Sequence, residues 1–219
     1  MADSIVHPAS WLSFAGLLPI VEARFELREF VDIQGRERGP MIVSTLGWPR
    51  WEAFLRYAPV PMRTAREFRA RCNRIGKTNM VQIGDPERLF PRLDPTGDNL
   101  GATTPKVTDR GGRTLRIYGL PPGYPLRWGD LFVVTYGSNP VRRCLLEVAE
   151  DINASGTGTT PVFEVSPFVP EGIVHGDPVT LKRPTALMYV TEYGYGSTFG
   201  THTADMSITA VEGQAQSAP

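Results

Sequence analysis

Between Trp128 and Pro184 the chain breaks into short apolar runs separated by turn residues at close intervals. Trp128-Gly129-Asp130 leads into Leu131–Tyr136, and Val141–Val148 follows. The chain then turns at Asn153-Ala154-Ser155-Gly156-Thr157-Gly158 and returns as Pro161–Val165. Pro170-Glu171-Gly172 and Gly176-Asp177-Pro178 lead into Val179-Thr180-Leu181. Apolar, β-branched and aromatic runs bounded by Gly, Pro, Asn and Asp indicate antiparallel strands. Packed this densely, they predict a small closed or half-closed barrel. The fold class expected is mainly β with minor α: an antiparallel, split β-barrel with one or two short helices. No catalytic motif is woven into this stretch, and such a barrel holds, docks or assembles something.

Composition sets the outer bounds. A chain of 219 residues fits one large β domain and can bury a sizeable core without staples. The 23 basic and 23 acidic side chains cancel, so net charge gives no argument for nucleic acid or an anionic membrane. No run reaches about 18 apolar residues, so no bilayer-spanning helix and no membrane partner is expected. The first twenty residues carry Asp3, Pro8 and Pro19 and lack a basic leader, which makes a poor secretory signal and predicts a soluble product. Cys72 and Cys144 lie far apart with no metal-ligand spacing, so both are expected as reduced packing residues.

Upstream of the barrel, Val21, Ala23, Phe25 and Leu27 alternate with Glu22, Arg24, Glu26 and Arg28, a period-two strand with one wet face. Gln34 to Pro40 reads as a charged turn and Met41–Ser44 as the returning strand. Gly47–Leu55 reads as a short helix with Pro49 near its first turn, and Trp48 and Trp51 as core or interface anchors. A second helix is signalled by a capping box at Thr64 and Glu67, by Ala65, Phe68, Cys72 and Ile75 at helical spacing, and by a stop at Gly76. Its outer side carries Arg66, Arg69, Arg71 and Arg74, with no interleaved aromatics, and reads as a solvated or salt-bridged face. Asn79–Gly84 is a further strand, Asp85–Gly112 an ordered excursion, and Arg113–Tyr118 a strand again. Ala186–Glu192 and Asp205–Val211 read as paired strands flanking a protruding Tyr/Gly-rich loop over residues 192–203, and Gly213–Pro219 as a flexible tail. No linker divides the chain, so residues 1–219 form a single domain.

Several near-motifs fail on spacing. Gly76-Lys77-Thr78 resembles the end of a phosphate-binding loop, but Arg71 stands where the first Gly is needed and the tripeptide ends a helix instead of opening one. Gly194, Gly196 and Gly200 miss the dinucleotide spacing by one residue. Asp151-x-Asn153-x-Ser155-Gly156 matches the first half of a calcium loop, yet Val162 stands where the bidentate acid belongs, so a self-capping hairpin is expected. Asn153-Ala154-Ser155 is a chance sequon without a secretory route. His7, His175 and His202 are scattered and read as surface loop residues. No catalytic residue, metal ligand or cofactor is therefore assigned, and no enzymatic activity is expected.

With this order of elements, the chain resembles the short distal tail proteins of long-tailed bacteriophages and related gene transfer agents. The likeness runs from about Val21 to Pro184. It is carried by the early hairpin, the Trp48/Trp51 segment, the Ala65-x-x-Phe68-x-Ala70 helix ending at Gly76, and Gly84-Asp85-Pro86. The barrel adds Leu126-x-Trp128-Gly129-Asp130, Glu147-Val148-Ala149-x-Asp151, Ser155-Gly156, Ser166-Pro167 and Gly176-Asp177-Pro178-Val179. The resemblance implies a structural virion component of the tail, assembled in the host cytoplasm. It implies a homo-oligomeric ring, a hexamer, that joins the tail tube protein to hub and baseplate proteins. The ring would leave a lumen through which DNA passes without specific binding. The Arg66/Arg69/Arg71/Arg74 face should then point away from the lumen or pair with acids.

Ring subunits meet through head-to-tail contacts that close. The hairpin tip Arg36, Glu37 and Arg38, and the aromatic Tyr193, Tyr195 and Phe199, are the interface residues expected to make them. The alternative reading is a carbohydrate- or peptide-binding β module with an aromatic groove at Tyr193, Tyr195 and Phe199. A cell-wall hydrolase stands third.

Overall fold

The computed structural model describes residues 10, 15–16, 18–34, 42–197 and 203–213. Two β layers share one wall. A five-stranded antiparallel sheet has the order β1-β2-β13-β12-β3, built from β1 (Ile20–Gln34), β2 (Ile42–Pro61), β3 (Met80–Ile83), β12 (Ala186–Ser197) and β13 (Thr203–Glu212). The chain between β3 and β12 forms the barrel, in the order β11-β7-β8-β10-β5-β4. Its strands are β4 (Lys106–Arg110), β5 (Thr114–Tyr118), β7 (Leu131–Tyr136), β8 (Arg142–Val148), β10 (Phe163–Ser166) and β11 (Val179–Thr180). β6 (Pro125–Leu126) and β9 (Ile152–Asn153) form a small separate ladder.

Closure of the barrel comes from β4 meeting β11. Lys106 bridges Pro178, the Val107 amide donates to the Asp177 carbonyl at 2.9 Å, and the Val179 amide donates to the Pro105 carbonyl at 2.8 Å. This leaves a nearly closed antiparallel β-barrel, as the turn-dense sequence predicts. Gly158 marks one tight corner. Its φ is +74°, and a side chain there would run into the Leu120 carbonyl, which accepts no such intrusion.

The shared wall is β7 and β8. Alternate residues point to opposite faces of a strand, and here both faces are dry. Leu131, Val133 and Leu145 pack with the five-stranded sheet, whereas Phe132, Val134, Cys144, Leu146 and Val148 fill the barrel. A continuous apolar run such as Leu131-Phe132-Val133-Val134 is the signature of a strand buried on both sides. On the sheet's side, Trp51 is almost wholly buried, its ring tilted on Phe25 with centroids 5.3 Å apart. Its Nε1–H donates to the Leu145 carbonyl at 3.0 Å, so one side chain of β2 is bonded to the barrel backbone.

One α-helix occurs among the described residues, α1 (Met62–Ile75), with Ala65, Phe68, Cys72 and Ile75 buried against the sheet. That face is the one its spacing predicts. The Phe68 ring meets Tyr57 edge-on at 5.2 Å. The capping box is not formed. The β2–β13 ladder runs on to Pro61, so the helix opens at Met62, no side chain caps its start, and Thr64 already lies inside. Glu67 instead accepts from Arg63 one turn earlier, at 3.4 Å. At the other end Gly76 takes φ +63° and its amide donates to the Cys72 carbonyl, while Asn79 Nδ2 donates to the Ile75 carbonyl at 2.8 Å.

The helix expected over Gly47–Leu55 is strand instead, part of the 20-residue β2. Arg28 pairs with Arg50 and Phe30 with Gly47, so Trp48 and Pro49 together oppose the single residue Glu29. Pro49 thus sits in a β-bulge, where its missing N–H costs the ladder nothing. A second irregularity follows, since Phe30 pairs with Gly47 and Val31 with Thr45, leaving Leu46 without a partner. A third lies at Val21, between the pairs Ile20–Tyr57 and Glu22–Arg56. It turns Val21 out to solvent although the alternation assigns it to the same face as Phe25.

The Asp85–Gly112 excursion is held by buried carboxylates. Asp85 accepts from Arg88 Nε at 2.6 Å, Asp94 from the Tyr124 hydroxyl at 3.0 Å, and Asp130 from the Arg92 and Arg127 amides, each at 2.8 Å. A short 3-10 turn, Asp98–Leu100, is its only helical element among the described residues.

Because sheet and barrel share β7 and β8, the chain should unfold in one cooperative step. Trp51→Phe keeps most of the apolar bulk but strands the Leu145 carbonyl and leaves a void. The expected loss is roughly 2–4 kcal/mol, read as a lower urea midpoint with an unchanged slope. Two separate transitions in the parent protein would refute the shared-wall account.

Candidate functional site

β13 pairs with β2 from Pro61 back to Glu52 and then ends, whereas β1 follows β2 all the way to the Gln34–Ile42 pair. Arg28–Gln34 and Ile42–Arg50 therefore form a two-stranded ribbon that overhangs the sheet by about 20 Å at ~3.3 Å per residue. Isolated two-stranded ribbons are marginal in water and carry unpaired edges. The body of the hairpin has a charged outer face, with Glu22 accepting from Arg24 at 2.9 Å and Glu52 from Arg28 at 3.1 Å. Further out the character changes. Leu46, expelled by its bulge, is 71% exposed, and Val31 is exposed beside it in the ladder. Trp48, half exposed, rests on Phe168 of the barrel with ring centroids 4.3 Å apart. The arm presents apolar side chains and backbone edges that no other described strand pairs, the ingredients of a protein contact.

At the root of the arm lies a buried acid. Glu212, the last residue of β13, is 6% exposed, and its Oε2 accepts the Trp51 amide at 3.2 Å. The carboxyl takes the position the next ladder bond would occupy, so it caps the β2–β13 ladder where the arm departs. Burial raises its pKa from 4.5 to about 7, against smaller lowering effects of the Trp51 amide and the Arg50 charge. The Arg88 guanidinium bonds Asp85 and Glu147 and lies over the Trp51 ring, 5.9 Å from the centroid.

Of the interface residues expected from sequence, Arg36, Glu37, Arg38 and Phe199 lie outside the described residues. Tyr193 and Tyr195 are not in a loop, a correction to the expected 192–203 excursion. β12 continues through Ser197, pairing Tyr193 with Ile208 and Tyr195 with Met206. Glycines at 194 and 196 do not break this strand, because a hairpin partner supplies the pairing and the large residues alternate with them. The Tyr193 hydroxyl donates to Asn73 Oδ1, and the Arg69 guanidinium lies 5.1 Å from the Tyr195 ring centroid. Both aromatics thus tie the hairpin to α1. The residues beyond Gly213, expected as a flexible tail, lie outside the described residues as well.

The remaining motif residues have structural work. Asp151 accepts the Trp128 amide at 2.8 Å and Asn153 Oδ1 accepts from Arg127, while Ser155 Oγ accepts the Thr157 and Thr159 amides of its own turn. His175 stacks on Tyr118 with its Nδ1 3.0 Å from the Thr108 carbonyl, and His7 and His202 are outside the described residues. Cys72 and Cys144 are free and buried, and burial pushes the Cys72 thiol up to about 12. Among the described residues, no group of three or more His, Cys, Asp or Glu could hold a metal, and no helix is long and apolar enough to cross a membrane.

Sequence reasoning missed Glu212 and Leu46. Glu212 follows Ala210 and Val211 at the end of a strand, and nothing in that order marks a carboxyl about to be buried. Leu46 sits beside Gly47-Trp48-Pro49, where a Pro within an apolar run could have signalled a bulge. The chain matches no protein-family model and no curated protein.

The Glu212 carboxyl makes stability pH-dependent with a definite sign. Its pKa is higher in the fold than in the unfolded chain, so its favourable contribution is complete below about pH 4.5 and is lost as pH rises to about 7. The full effect is on the order of 3 kcal/mol. Glu212→Gln should remove this slope, so that urea midpoints of variant and parent diverge between about pH 4.5 and pH 7 in the variant's favour and stay apart above it. Parallel pH profiles would show that the carboxyl is not desolvated.

Proposed function

We propose that this chain is a structural subunit of a closed ring, and that the β1–β2 arm is the element by which one copy grips the next. The overhanging ribbon, with its bulged Leu46 in solvent, is the observation that carries the reading. A monomer gains nothing from a marginal ribbon with open edges, whereas a neighbouring copy can pair those edges and cover Val31, Leu46 and the free side of Trp48. A contact from the arm of one copy to a different surface of the next is heterologous, and such contacts make rings when the rotation closes.

The resemblance of the barrel and hairpin segments to phage distal tail proteins supplies the setting. The ring would be a hexamer at the end of a tail tube, assembled in the host cytoplasm, joining the tube to hub and baseplate proteins and letting DNA pass. Support for the carbohydrate- or peptide-binding alternative is weaker. Tyr193 and Tyr195, the aromatics it relies on, are engaged with Asn73 and Arg69 of the same chain.

Native mass measurement and negative-stain images test this. The parent protein should give a discrete hexamer and a six-fold annulus. Val31→Asp with Leu46→Asp should give monomers whose unfolding free energy in urea is within about 0.5 kcal/mol of that of the parent subunit, as expected for exposed sites. A parent that stays monomeric at every concentration reached, or a ring indifferent to the double substitution, overturns the reading.

A further inference from the structure

A contact that closes a ring of copies has two unlike halves, and every copy must carry both. If the arm is one half, the other lies elsewhere on the same chain, exposed with that chain's own arm in place. One place on the barrel has these properties. Trp128, in the turn before β7, is 64% exposed, and Leu93, in the excursion after β3, is 51% exposed. The two stand on a single buried carboxylate. Asp130 Oδ1 accepts the Arg92 amide and Oδ2 the Arg127 amide, each at 2.8 Å. Each oxygen thus fixes the residue directly before one of these side chains.

The turn that carries Trp128 is locked. Its amide donates to Asp151 Oδ1 at 2.8 Å, the Gly129 amide to the Val148 carbonyl at 2.9 Å, and the Asp130 amide to the Arg127 carbonyl at 3.0 Å. Arg127 Nη1 adds bonds to the Leu126 and Ile152 carbonyls and to Asn153 Oδ1. Four successive amides and a guanidinium therefore hold in place an indole that lies mostly in water. Such a side chain contributes little to the core of its own chain. Being already ordered, it loses little freedom when a partner covers it, which is the condition for an interface anchor.

We infer that Trp128 and Leu93 form the socket that receives the β1–β2 arm of a neighbouring copy. The inference rests on the reading of the arm as the assembly contact and supplies the other half of that contact. Val31, Leu46 and the open side of Trp48 bring apolar surface from one copy, and Leu93 and Trp128 bring it from the next, which gives the contact an apolar centre. Charge agrees at the rim. Glu29 on the arm and Arg92 beside Leu93 are exposed and belong to no ion pair among the described residues, whereas Glu22, Arg24, Arg28 and Glu52 on the body of the hairpin are paired. A carboxylate on one half and a guanidinium on the other favour arm on socket over arm on arm. A sugar is the poorer occupant. It needs polar groups free to bond its hydroxyls, and Arg127, Asp130 and Asn153 are engaged in holding the turn.

Mixing two variants with opposite defects tests the socket. Leu93→Ser with Trp128→Ser removes the socket and keeps the arm, and Val31→Asp with Leu46→Asp does the reverse. Each alone should be a folded monomer by native mass measurement at concentrations where the parent forms its ring. Combined in equal amounts they should give a heterodimer with one copy of each and nothing larger, because the pair holds one intact arm and one intact socket, and these occupy each other. A socket variant that still closes the ring overturns the inference and leaves the reading of the arm standing. A mixture that stays monomeric, although each variant has lost the ring, overturns it too, since the two defects then belong to different contacts. Chitotetraose that quenches the tryptophan emission of the arm variant, but not after Trp128→Ala is added, would give the patch to a sugar and overturn it as well. A parent that forms no ring removes the reading of the arm and the socket with it. Should the double serine variant not fold, Trp128→Ala alone takes its place in the mixture.

Discussion

Everything in this fold depends on the seating of Trp51. The indole contacts Phe25 of its own sheet and the Arg88 guanidinium, and it gives its one hydrogen-bond donor to the barrel backbone at Leu145. Its own amide goes to Glu212. One residue thus connects the edge hairpin, the last strand, the excursion after β3 and the barrel. Tryptophan suits the place because it brings a large apolar body and a single polar handle that must be satisfied when buried. Around it, β7 and β8 serve two cores at once, which is why sheet and barrel are one folding unit although each has its own strand order.

The same junction defines what is left over. Once β13 stops at Glu212, the β1–β2 hairpin has no third strand among the described residues, and its outer part is stabilised by its own ladder and the Trp48–Phe168 contact. Bulges in that region lower the regularity of the ladder and turn Leu46 outwards. Natural sheets defend their edges with charge, and the body of this hairpin does so through Glu22, Arg24, Arg28 and Glu52. The change to Val31 and Leu46 further out is a relaxation of that defence. It is the physical basis for reading the arm as a contact.

Much of this was legible from residue order. Turn density between Trp128 and Pro184 gave the barrel, and period-two alternation from Ala23 to Leu27 gave the first strand. Helical spacing of Ala65, Phe68, Cys72 and Ile75 gave α1. The errors share a cause: local signals were outvoted by pairing partners remote in sequence. Trp48-Pro49 looks like a helix start, but β1 lies opposite and a bulge accommodates the proline. Thr64 and Glu67 have capping-box spacing, but the ladder to β13 delivers the chain to the helix three residues earlier. The Tyr/Gly stretch looks like a loop until Thr203–Glu212 pairs with it. The buried state of Glu212 has no local signal at all, since it follows from which strand ends first.

A ribbon fixed at one end by a buried aromatic ring is a lever. Tension or twist applied at its tip is delivered as torque to the Leu145 carbonyl and thence to β8, a wall that the barrel cannot deform without losing its own packing. A neighbour pulling on the tip would therefore be pulling on the wall that both cores share. Strain that passes the hairpin would reach both layers through that one ring.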